Sequence, residues 1–324
     1  MNVKRIIGGV VIAALASVLV YGALAFFTDA PAVASALRTF PLTILGLMLV
    51  LSSISFVVRG VRWWALMRVV GNPVSVGDAL YLQISGQTMS VTPGRVGEVL
   101  KPYLANSIAG MPMARGLALV FSERLADLIA VCILSMGGLS VIGGNMWVLV
   151  VALGAIVVGT GIVSSSWFHA LALTLLAGQS WAKKYHASAS AISETIKAAL
   201  TWRTMAWSVS ASVIAWGLEG VGFGLCLRGL GFGRLGILAA VSVYAVSTIV
   251  GALTFLPGGI GLTEASMVGI LIAAGMAVSD ASAATLIIRV ATLWWGVSVG
   301  WLAIATRPSL FRELVSQTEH DEVE

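Results

Sequence analysis

Pro93-Gly94-Arg95-Val96-Gly97-Glu98 is a helix-breaking, charged turn inside a hydrophobic run, and Pro257-Gly258-Gly259-Ile260-Gly261-Leu262-Thr263-Glu264 is a second turn of the same kind. The two prolines are 164 residues apart. Two further matches share an offset of 165: Gly110-Met111 with Gly275-Met276, and Arg124 with Arg289. Paired broken segments in an apolar chain are typical of transporters built from internal repeats, whose site lies where the repeats meet.

The composition indicates a membrane protein. The chain is 58% hydrophobic and only 10% charged, with a mean hydropathy of +0.98, whereas soluble domains carry about 25% charged residues. Several apolar stretches exceed the roughly 20 residues that span a bilayer. Most Lys and Arg residues lie in short loops, where they orient a membrane chain. The formal charge of +5 therefore does not indicate a nucleic-acid partner.

The sequence shows no metal or cofactor motif. Cys132 and Cys226 both fall inside apolar spans and are expected to be small packing residues. The three histidines are scattered without metal-ligand spacing, and no Walker motif is present. We therefore predict no cofactor, no metal and no direct use of ATP.

We predict an all-α, polytopic transmembrane helix bundle with six full spans, at 6–27, 40–58, 114–142, 145–165, 205–227 and 280–306. Two more hydrophobic regions, 79–110 and 234–275, contain the Pro-Gly turns. The pieces of the first region are too short to cross about 30 Å of hydrocarbon as helices, which favours a re-entrant hairpin. The pieces of the second region are longer, so two full spans remain an alternative there.

Basic residues set the expected orientation. With the N-terminus in the cytoplasm, twelve basic residues fall on the cytoplasmic side, namely Lys4, Arg5, Arg59, Arg62, Arg68, Arg115, Lys183, Lys184, Lys197, Arg203, Arg307 and Arg312, against Arg38, Arg228 and Arg234 on the other side. This bias predicts cytoplasmic N- and C-termini in a bacterial cytoplasmic (inner) membrane. The two halves then have opposite orientations, as in inverted-repeat transporters.

The predicted organisation is a single transmembrane domain, 1–306, followed by an acidic cytoplasmic tail, 307–324. The first repeat covers about 40–142 and the second about 205–306. Segment 166–204 separates the repeats and is expected either as an amphipathic surface helix or as a solvated linker.

Charged residues inside spans are the candidate binding residues, because each costs at least about 2.5–3.5 kcal/mol on insertion scales. Glu123, Arg124 and Asp127 are predicted to open the span after the first hairpin. Glu123 and Asp127 share a helix face, so a self-neutralising cluster that pins the hairpin is one interpretation. Arg124 and Arg289 stand at equivalent places, and the planar guanidinium suits phosphate oxygens. We expect both arginines to contact a substrate.

The turns add further candidates. Glu98 and Glu264 lie in first helical turns, where they either cap their own helices or take part in proton coupling or cation recognition. Arg95 has Gly259 as its counterpart, which predicts a cavity more positive in its first half. Lys101 either meets a headgroup or snorkels. Glu219 either lines the cavity or hydrogen-bonds to a neighbouring helix.

No catalytic residue is predicted. The predicted substrate-binding residues are Arg95, Glu98, Lys101, Glu123, Arg124, Asp127, Glu264 and Arg289, and the predicted hairpin turns contain Pro93, Gly94, Gly97, Pro257, Gly258, Gly259 and Gly261.

Two motifs carry a resemblance to a known family. The stretch from Ser90 to Glu98, followed by Glu123-Arg124-Leu125-Ala126-Asp127, resembles the P-G-R-x-G-E … E-R-x-x-D signature of the lysylphosphatidylglycerol synthase transmembrane (flippase-like) family. Leu256 to Gly261 with Glu264 resembles its second signature. The resemblance covers roughly 5–306. It implies an integral membrane protein that translocates lipids, among them aminoacylated phosphatidylglycerol, with hopanoid or polyprenyl-linked lipids in relatives.

The best-known member of that family also carries a soluble aminoacyl-transfer domain, whereas this chain ends 18 residues after its last predicted span. The resemblance therefore implies a transporter rather than an enzyme, with a membrane lipid as substrate. A separate lipid-modifying enzyme and a homodimer are the protein partners left open.

Three functions compete at this point. The first is a lipid flippase that handles an anionic or zwitterionic headgroup. The second is a membrane enzyme of polyprenyl- or glyco-lipid metabolism, with Glu98, Glu123 or Asp127 as acid or base. The third is a solute or ion transporter of the same plan. A lipid substrate predicts a cavity that opens sideways to the bilayer, whereas a solute predicts a cavity closed to lipid.

Overall fold

In the computed structural model, residues 30–91, 99–138, 146–165, 182–253 and 257–310 are described. Within these ranges the chain forms helices joined by turns and contains no strand, which confirms the all-α prediction. The α-helices in these ranges are α1 (Ala30–Thr39), α2 (Leu42–Val69), α3 (Val76–Gly86), α4 (Leu100–Ala109), α5 (Met113–Met136), α6 (Met146–Ser164), α7 (Ala182–Ala199), α8 (Trp202–Gly229), α9 (Ile237–Ala252), α10 (Leu262–Ala273), α11 (Val278–Arg289) and α12 (Trp295–Thr306).

Three long apolar helices are able to cross a membrane by length and hydropathy, among the residues described: α2 and α8, each of 28 residues, and the continuous α11–α12 helix of 29. At 1.5 Å per residue, 28 residues extend for about 42 Å, more than the roughly 30 Å of hydrocarbon. The predicted spans 114–142 and 145–165 correspond to α5 and α6. The predicted span 6–27 lies outside the described residues.

The helices on either side of the predicted turns are much shorter. α3 and α4 contain 11 and 10 residues, with a 3-10 turn at Gln87–Met89 after α3. α9 and α10 contain 16 and 12 residues. At 1.5 Å per residue the longest of the four reaches only about 24 Å. Each of these four helices is therefore shorter than the roughly 30 Å of hydrocarbon.

α2 is longer than the sequence interpretation allowed, and this changes the place of two arginines. The predicted span 40–58 continues as helix to Val69. Arg59 and Arg62, which were assigned to a cytoplasmic loop, lie inside the bundle and are buried. The physical reason is that acids from neighbouring helices neutralise both guanidinium groups there. Without them, ten basic residues remain on the predicted cytoplasmic side against three on the other.

α2 and α8 end in the same backbone geometry. Val70 (φ −91°, ψ 10°) is followed by Gly71 (φ 78°), and Leu230 (φ −90°, ψ 11°) is followed by Gly231 (φ 78°). The next residue donates its N–H back into each helix, from Asn72 to Met67 O at 2.9 Å and from Phe232 to Leu227 O at 2.8 Å. Each end is a Schellman-type C-cap.

Two large clusters make up most of the hydrophobic interior of the described residues. One contains buried side chains of α8, α9, α10 and α11, such as Phe223, Tyr244 and Leu271, together with Phe40 and Met48. The other contains buried side chains of α2, α3, α4 and α5, such as Trp63, Leu82 and Leu104. α2 and α8 pack along each other and join the two groups of helices.

Candidate functional site

A cavity of about 120 Å³ lies where the two groups of helices meet. Its charged lining residues come from five helices: Arg59 from α2, Lys101 from α4, Arg124 from α5, Glu219 from α8 and Arg289 from α11. Most of the remaining lining is polar, aromatic or glycine, with Ala252 and Leu293 as the aliphatic members; it includes Phe56, Gln83, Gly86, Gln87, Ser90, Trp216, Tyr244, Thr248, Gly258, Gly259, Thr263 and Thr292. The cavity is therefore a polar, cationic chamber inside an apolar bundle.

The charges around the cavity are arranged in layers. Four cations face the space, and Glu219 is the one acid among its described lining residues. Glu123, Asp127 and Glu264 are buried behind these cations and form ion pairs with them or with Arg62. Among the described charged groups of this assembly, five cations thus meet four acids. The resulting excess of one positive charge favours an anion in the cavity.

Arg62 is the centre of the buried network in the first half. It is 0% exposed. Its Nη2 donates to Glu123 Oε1 at 2.5 Å, and its Nη1 donates to Asp127 Oδ1 at 2.7 Å and to the Ser212 hydroxyl. The predicted i, i+4 pair Glu123 and Asp127 therefore shares one guanidinium. Three helices, α2, α5 and α8, are joined through this side chain.

Lys101 connects the first hairpin region to the same network. Its ammonium group forms a salt bridge with Glu123 Oε2 and donates to Gln83 Oε1 at 3.1 Å. It also lies 4.5 Å from the centre of the Trp63 ring, a cation–π distance. Lys101 is buried and faces the cavity, so the snorkelling alternative is wrong for this residue.

Arg124 and Asp127 form the predicted i, i+3 pair, with Nη1 and Oδ2 3.2 Å apart. Both residues lie in the middle of α5, which begins at Met113, and not at the start of a span as expected from the sequence. The reason is that the helix begins at Met113, ten residues before Glu123, with Pro112 as its N-cap directly after the turn at Gly110. Glu123 and Asp127 therefore lie beside Arg62 of α2 and form ion pairs with it.

In the second half, Glu264 has two roles. Its Oε2 accepts the N–H of Gly261 at 2.7 Å, which caps the start of α10. Its Oε1 pairs with Arg289 Nε at 2.6 Å. The cap expected from the sequence is thus present, and it occupies the positive end of α10 with the protein's own carboxylate. Arg289 Nη2 donates to the Gly258 carbonyl at 2.6 Å.

A π-helical turn, Val290–Trp294, follows Arg289 directly and separates α11 from α12. Such turns insert an extra residue into a helix and are frequent at functional sites. Thr292 and Leu293 from this turn also line the cavity. The irregular turn therefore forms part of the cavity wall beside Arg289.

Glu219 lies on the wall where α2, α8 and α9 meet. Its Oε1 accepts from Ser55 Oγ at 2.8 Å and from Arg59 Nη2 at 3.0 Å, and its Oε2 accepts from the Tyr244 hydroxyl at 2.8 Å. The Arg59 guanidinium lies 4.2 Å from the Trp216 ring centre. Both alternatives from the sequence are met, because Glu219 lines the cavity and bonds to neighbouring helices.

The predicted binding residues that are described occupy two kinds of position. Lys101, Arg124 and Arg289 line the cavity, whereas Glu123, Asp127 and Glu264 lie behind it as their partners. The turn glycines Gly258 and Gly259 line the cavity, and Pro257 and Gly261 belong to the same turn. The predicted residues Arg95, Glu98, Pro93, Gly94 and Gly97 lie outside the described residues.

Sequence reasoning missed Arg59 and Arg62. The available signal was the length of the apolar run, which continues past residue 58 to Val70 without a proline. Arg59 and Arg62 are three apart and share a helix face with Ser55, so an amphipathic reading of the whole run would have placed them on one polar stripe.

Fold and cavity define a multi-pass membrane protein with a cationic central site. The sequence matches the family described as "Lysylphosphatidylglycerol synthase TM region" over residues 6–300, and the chain belongs to that family. It is also similar to a "UPF0104 membrane protein" of Methanothermobacter thermautotrophicus, at 24% identity over 338 residues that cover 91% of this chain and 92% of that protein. The family predicted from the two motifs is thereby confirmed.

Proposed function

We propose that this protein moves a phospholipid, or a related lipid with an anionic or zwitterionic headgroup, between the two leaflets of the membrane. The observation that carries the proposal is the cavity in which Arg59, Lys101, Arg124 and Arg289 face one acid, Glu219. A phosphodiester headgroup brings one negative charge, which equals the excess positive charge of the described assembly. Arginine binds phosphate oxygens through two parallel N–H groups, so three arginines suit this group better than a halide.

The edge of the cavity supports a lipid rather than a free solute as the substrate. Ala252 lines the cavity and is itself exposed. The next residue, Leu253, is 74% exposed at the end of α9. Inside a bilayer, this apolar rim faces acyl chains. The headgroup then enters the polar chamber while the acyl chains remain in the hydrocarbon.

We further propose that the two halves are inverted-topology repeats and that α3–α4 and α9–α10 are re-entrant hairpins that enter from opposite faces. The matching C-caps of α2 and α8 support this, as do the positive φ angles of Gly110 (62°) and Gly275 (87°) at an offset of 165. Arg124 and Arg289, at the same offset, both line the cavity. In this plan the protein lies in a bacterial inner membrane with cytoplasmic termini.

The proximity of the two broken regions supports a shared site. A Cβ built on Gly258 would lie 3.5 Å from the backbone oxygen of Ser90, which precedes the first turn. The second turn therefore lies beside Ser90, which follows the 3-10 turn at the end of α3. Rocking of one half against the other would expose the same cavity first to one leaflet and then to the other.

Reconstitution tests the proposal directly. The full chain is inserted into liposomes that contain a trace of headgroup-labelled fluorescent phosphatidylglycerol or phosphatidylethanolamine, and dithionite then bleaches the outer leaflet. We expect bleaching to proceed past the outer-leaflet fraction in protein-containing vesicles, and to stop at that fraction in protein-free vesicles. Arg289→Ala is expected to return the signal to the protein-free level, whereas the matched variant Arg203→Ala, at an exposed position, retains it.

Two further measurements on the same vesicles separate the competing functions. Efflux of trapped inorganic phosphate without lipid movement would indicate a solute transporter. A change in lipid mass or headgroup would indicate an enzyme. Unchanged lipids that move between leaflets, with trapped phosphate retained, are the expected result.

A further inference from the structure

Glu219 differs from the other three acids of the assembly because it lines the cavity itself. Glu123 pairs with both Arg62 and Lys101, and Asp127 pairs with both Arg62 and Arg124. Glu264 pairs with Arg289 and also caps its own helix through the Gly261 N–H. Among the described residues, Glu219 has one cation within salt-bridge distance, Arg59, and two hydroxyl donors. It is also the one acid among the described residues that line the cavity, so both it and its cation are in reach of a ligand there.

That cation is accessible to a ligand. Arg59 and Glu219 both line the cavity, whereas Arg62 is fully enclosed behind it. An anion that enters the cavity therefore reaches the same guanidinium that neutralises Glu219. Phosphate and carboxylate use the same N–H donors of arginine, so the two anions compete for Arg59.

We propose that Glu219 is the proton-coupling residue of this cavity. Its carboxylate binds one proton when the headgroup phosphate replaces it as the partner of Arg59. The inference rests on the proposed function, because it requires a phosphate in the cavity. It gives lipid movement an energy source, since a proton gradient can then favour binding on one face and release on the other.

The proton balance of the step is simple. When phosphate binds the Arg59 guanidinium, the buried Glu219 carboxylate loses its counter-ion. A buried carboxylate without a counter-ion is strongly disfavoured. One Glu219 oxygen then binds a proton from water in the cavity, and no other bond changes. When the headgroup leaves, Arg59 returns to Glu219, and the proton is released to water on the side then open. Phosphate and proton enter together, so the net charge of the cavity stays constant.

The groups around Glu219 fit both protonation states. From α2 it meets Arg59 and Ser55, and from α9 the Tyr244 hydroxyl. From α5, Arg124 lines the same cavity and Asp127 lies 4.0 Å from Arg59, while Arg289 of α11 also lines the cavity. The Ser55 and Tyr244 hydroxyls both donate and accept. They therefore satisfy a neutral carboxyl as well as the carboxylate.

The wild-type measurement uses the full-length protein in detergent or nanodiscs, titrated with glycerophosphoglycerol. This soluble phosphodiester has one fixed negative charge and no ionisation of its own near neutral pH. Calorimetry in two buffers of different ionisation enthalpy counts the protons bound. We expect uptake of about one proton for each bound phosphodiester. Binding without proton uptake would overturn the inference and leave the proposed function intact, whereas absence of binding would overturn the headgroup site itself.

Variants assign the proton to its residue. Glu219→Gln is expected to bind the phosphodiester with no proton uptake, because the amide cannot titrate and competes weakly for Arg59. Glu219→Asp keeps the acid and should retain the proton. The matched control Glu194→Gln removes an acid that is 73% exposed on α7, and should behave as wild type.

Two results with these variants contradict the assignment. Proton uptake that persists in Glu219→Gln would place the proton on another group. Loss of phosphodiester binding in a folded Glu219→Gln variant would show that the acid supports the ligand instead of competing with it. If Glu219→Gln does not fold, proton uptake by the wild-type protein and by Glu219→Asp still tests the inference. Phosphodiester binding without proton uptake in either protein would refute it.

Discussion

Arg289 and Glu264 form an ion pair in which Nε and Oε1 are 2.6 Å apart, and this pair joins α11 to the first turn of α10. The same guanidinium donates through Nη2 to the Gly258 carbonyl at 2.6 Å. Arg289 therefore holds both the turn and the helix that follows it, while it also faces the cavity. One side chain links the shape of the second hairpin region to the site for an anion.

Arg289→Lys should impair lipid movement while leaving the protein assembled. A single ammonium group cannot replace the planar fork that serves Glu264, the Gly258 carbonyl and a ligand at once. Loss of one charge-assisted hydrogen bond, about 1.5–3 kcal/mol, corresponds to a roughly 10- to 150-fold lower rate. Dithionite bleaching in liposomes measures the rate, with Arg203→Lys as the exposed control. A wild-type rate in Arg289→Lys would exclude Arg289 from headgroup recognition.

The sequence was sufficient to predict the helical class and the family, and two of its candidate residues, Arg124 and Arg289, line one cavity. These predictions rest on local features: apolar run length, proline with glycine, and a repeated offset. The partners of Glu219 and Glu123 lie far away in sequence, 160 residues for Arg59 and 61 for Arg62. No local pattern encodes such a pairing, because it depends on how α2 packs against α8 and α5.

Arg62→Ala should destabilise the fold strongly. The change leaves Glu123 with one cation and removes the closest cation of Asp127, both inside the bundle. Breaking a buried ion pair by removing one partner costs about 3–5 kcal/mol. Equilibrium unfolding in mixed detergent micelles measures the change, and Arg203→Ala serves as the exposed control. A loss below about 1 kcal/mol, the typical value of a surface pair, would mean that the network contributes little.

A pair of glycine variants tests how closely α9 and α10 approach. A Cβ on Gly251 would overlap Thr263 Oγ1, whereas nothing lies within 4 Å of a Cβ on Gly269 in α10. Gly251→Ala should therefore destabilise the protein by about 1–3 kcal/mol through overpacking. Gly269→Ala should be neutral or stabilising by up to about 1 kcal/mol, because alanine favours helix. Unfolding in mixed micelles compares the two, and equal stabilities would contradict the close packing of this hairpin.

Accessibility of two positions, Asn72 and Asp280, tests the opposite orientation of the halves. Asn72 lies between α2 and α3, and Asp280 lies in the first turn of α11; both are partly exposed. In a background with Cys132 and Cys226 replaced by alanine, Asn72→Cys should react with a membrane-impermeant maleimide from the cytoplasmic side. Asp280→Cys should react from the other side. Labelling of both from one side would rule out the inverted arrangement.

Gly258→Val should damage lipid movement far more than Gly236→Val. Gly258 has φ 58°, in the left-handed region, where a residue with a Cβ costs roughly 1–2 kcal/mol and a β-branched one more. Its Cβ would also lie 3.3 Å from Leu293 and 3.5 Å from the Ser90 oxygen, against the cavity wall and the first hairpin region. Gly236 caps α9 with φ −54° and has nothing within 4 Å of a Cβ. A strained turn would also shift the Gly258 carbonyl away from Arg289.

We expect at least a roughly tenfold slower bleaching rate for Gly258→Val, and a rate close to wild type for Gly236→Val. Both variants must be compared at equal protein content per vesicle, since a variant that fails to insert gives no rate. Equal rates for the two would mean that the Pro257–Gly259 turn only connects two helices and takes no part in transport.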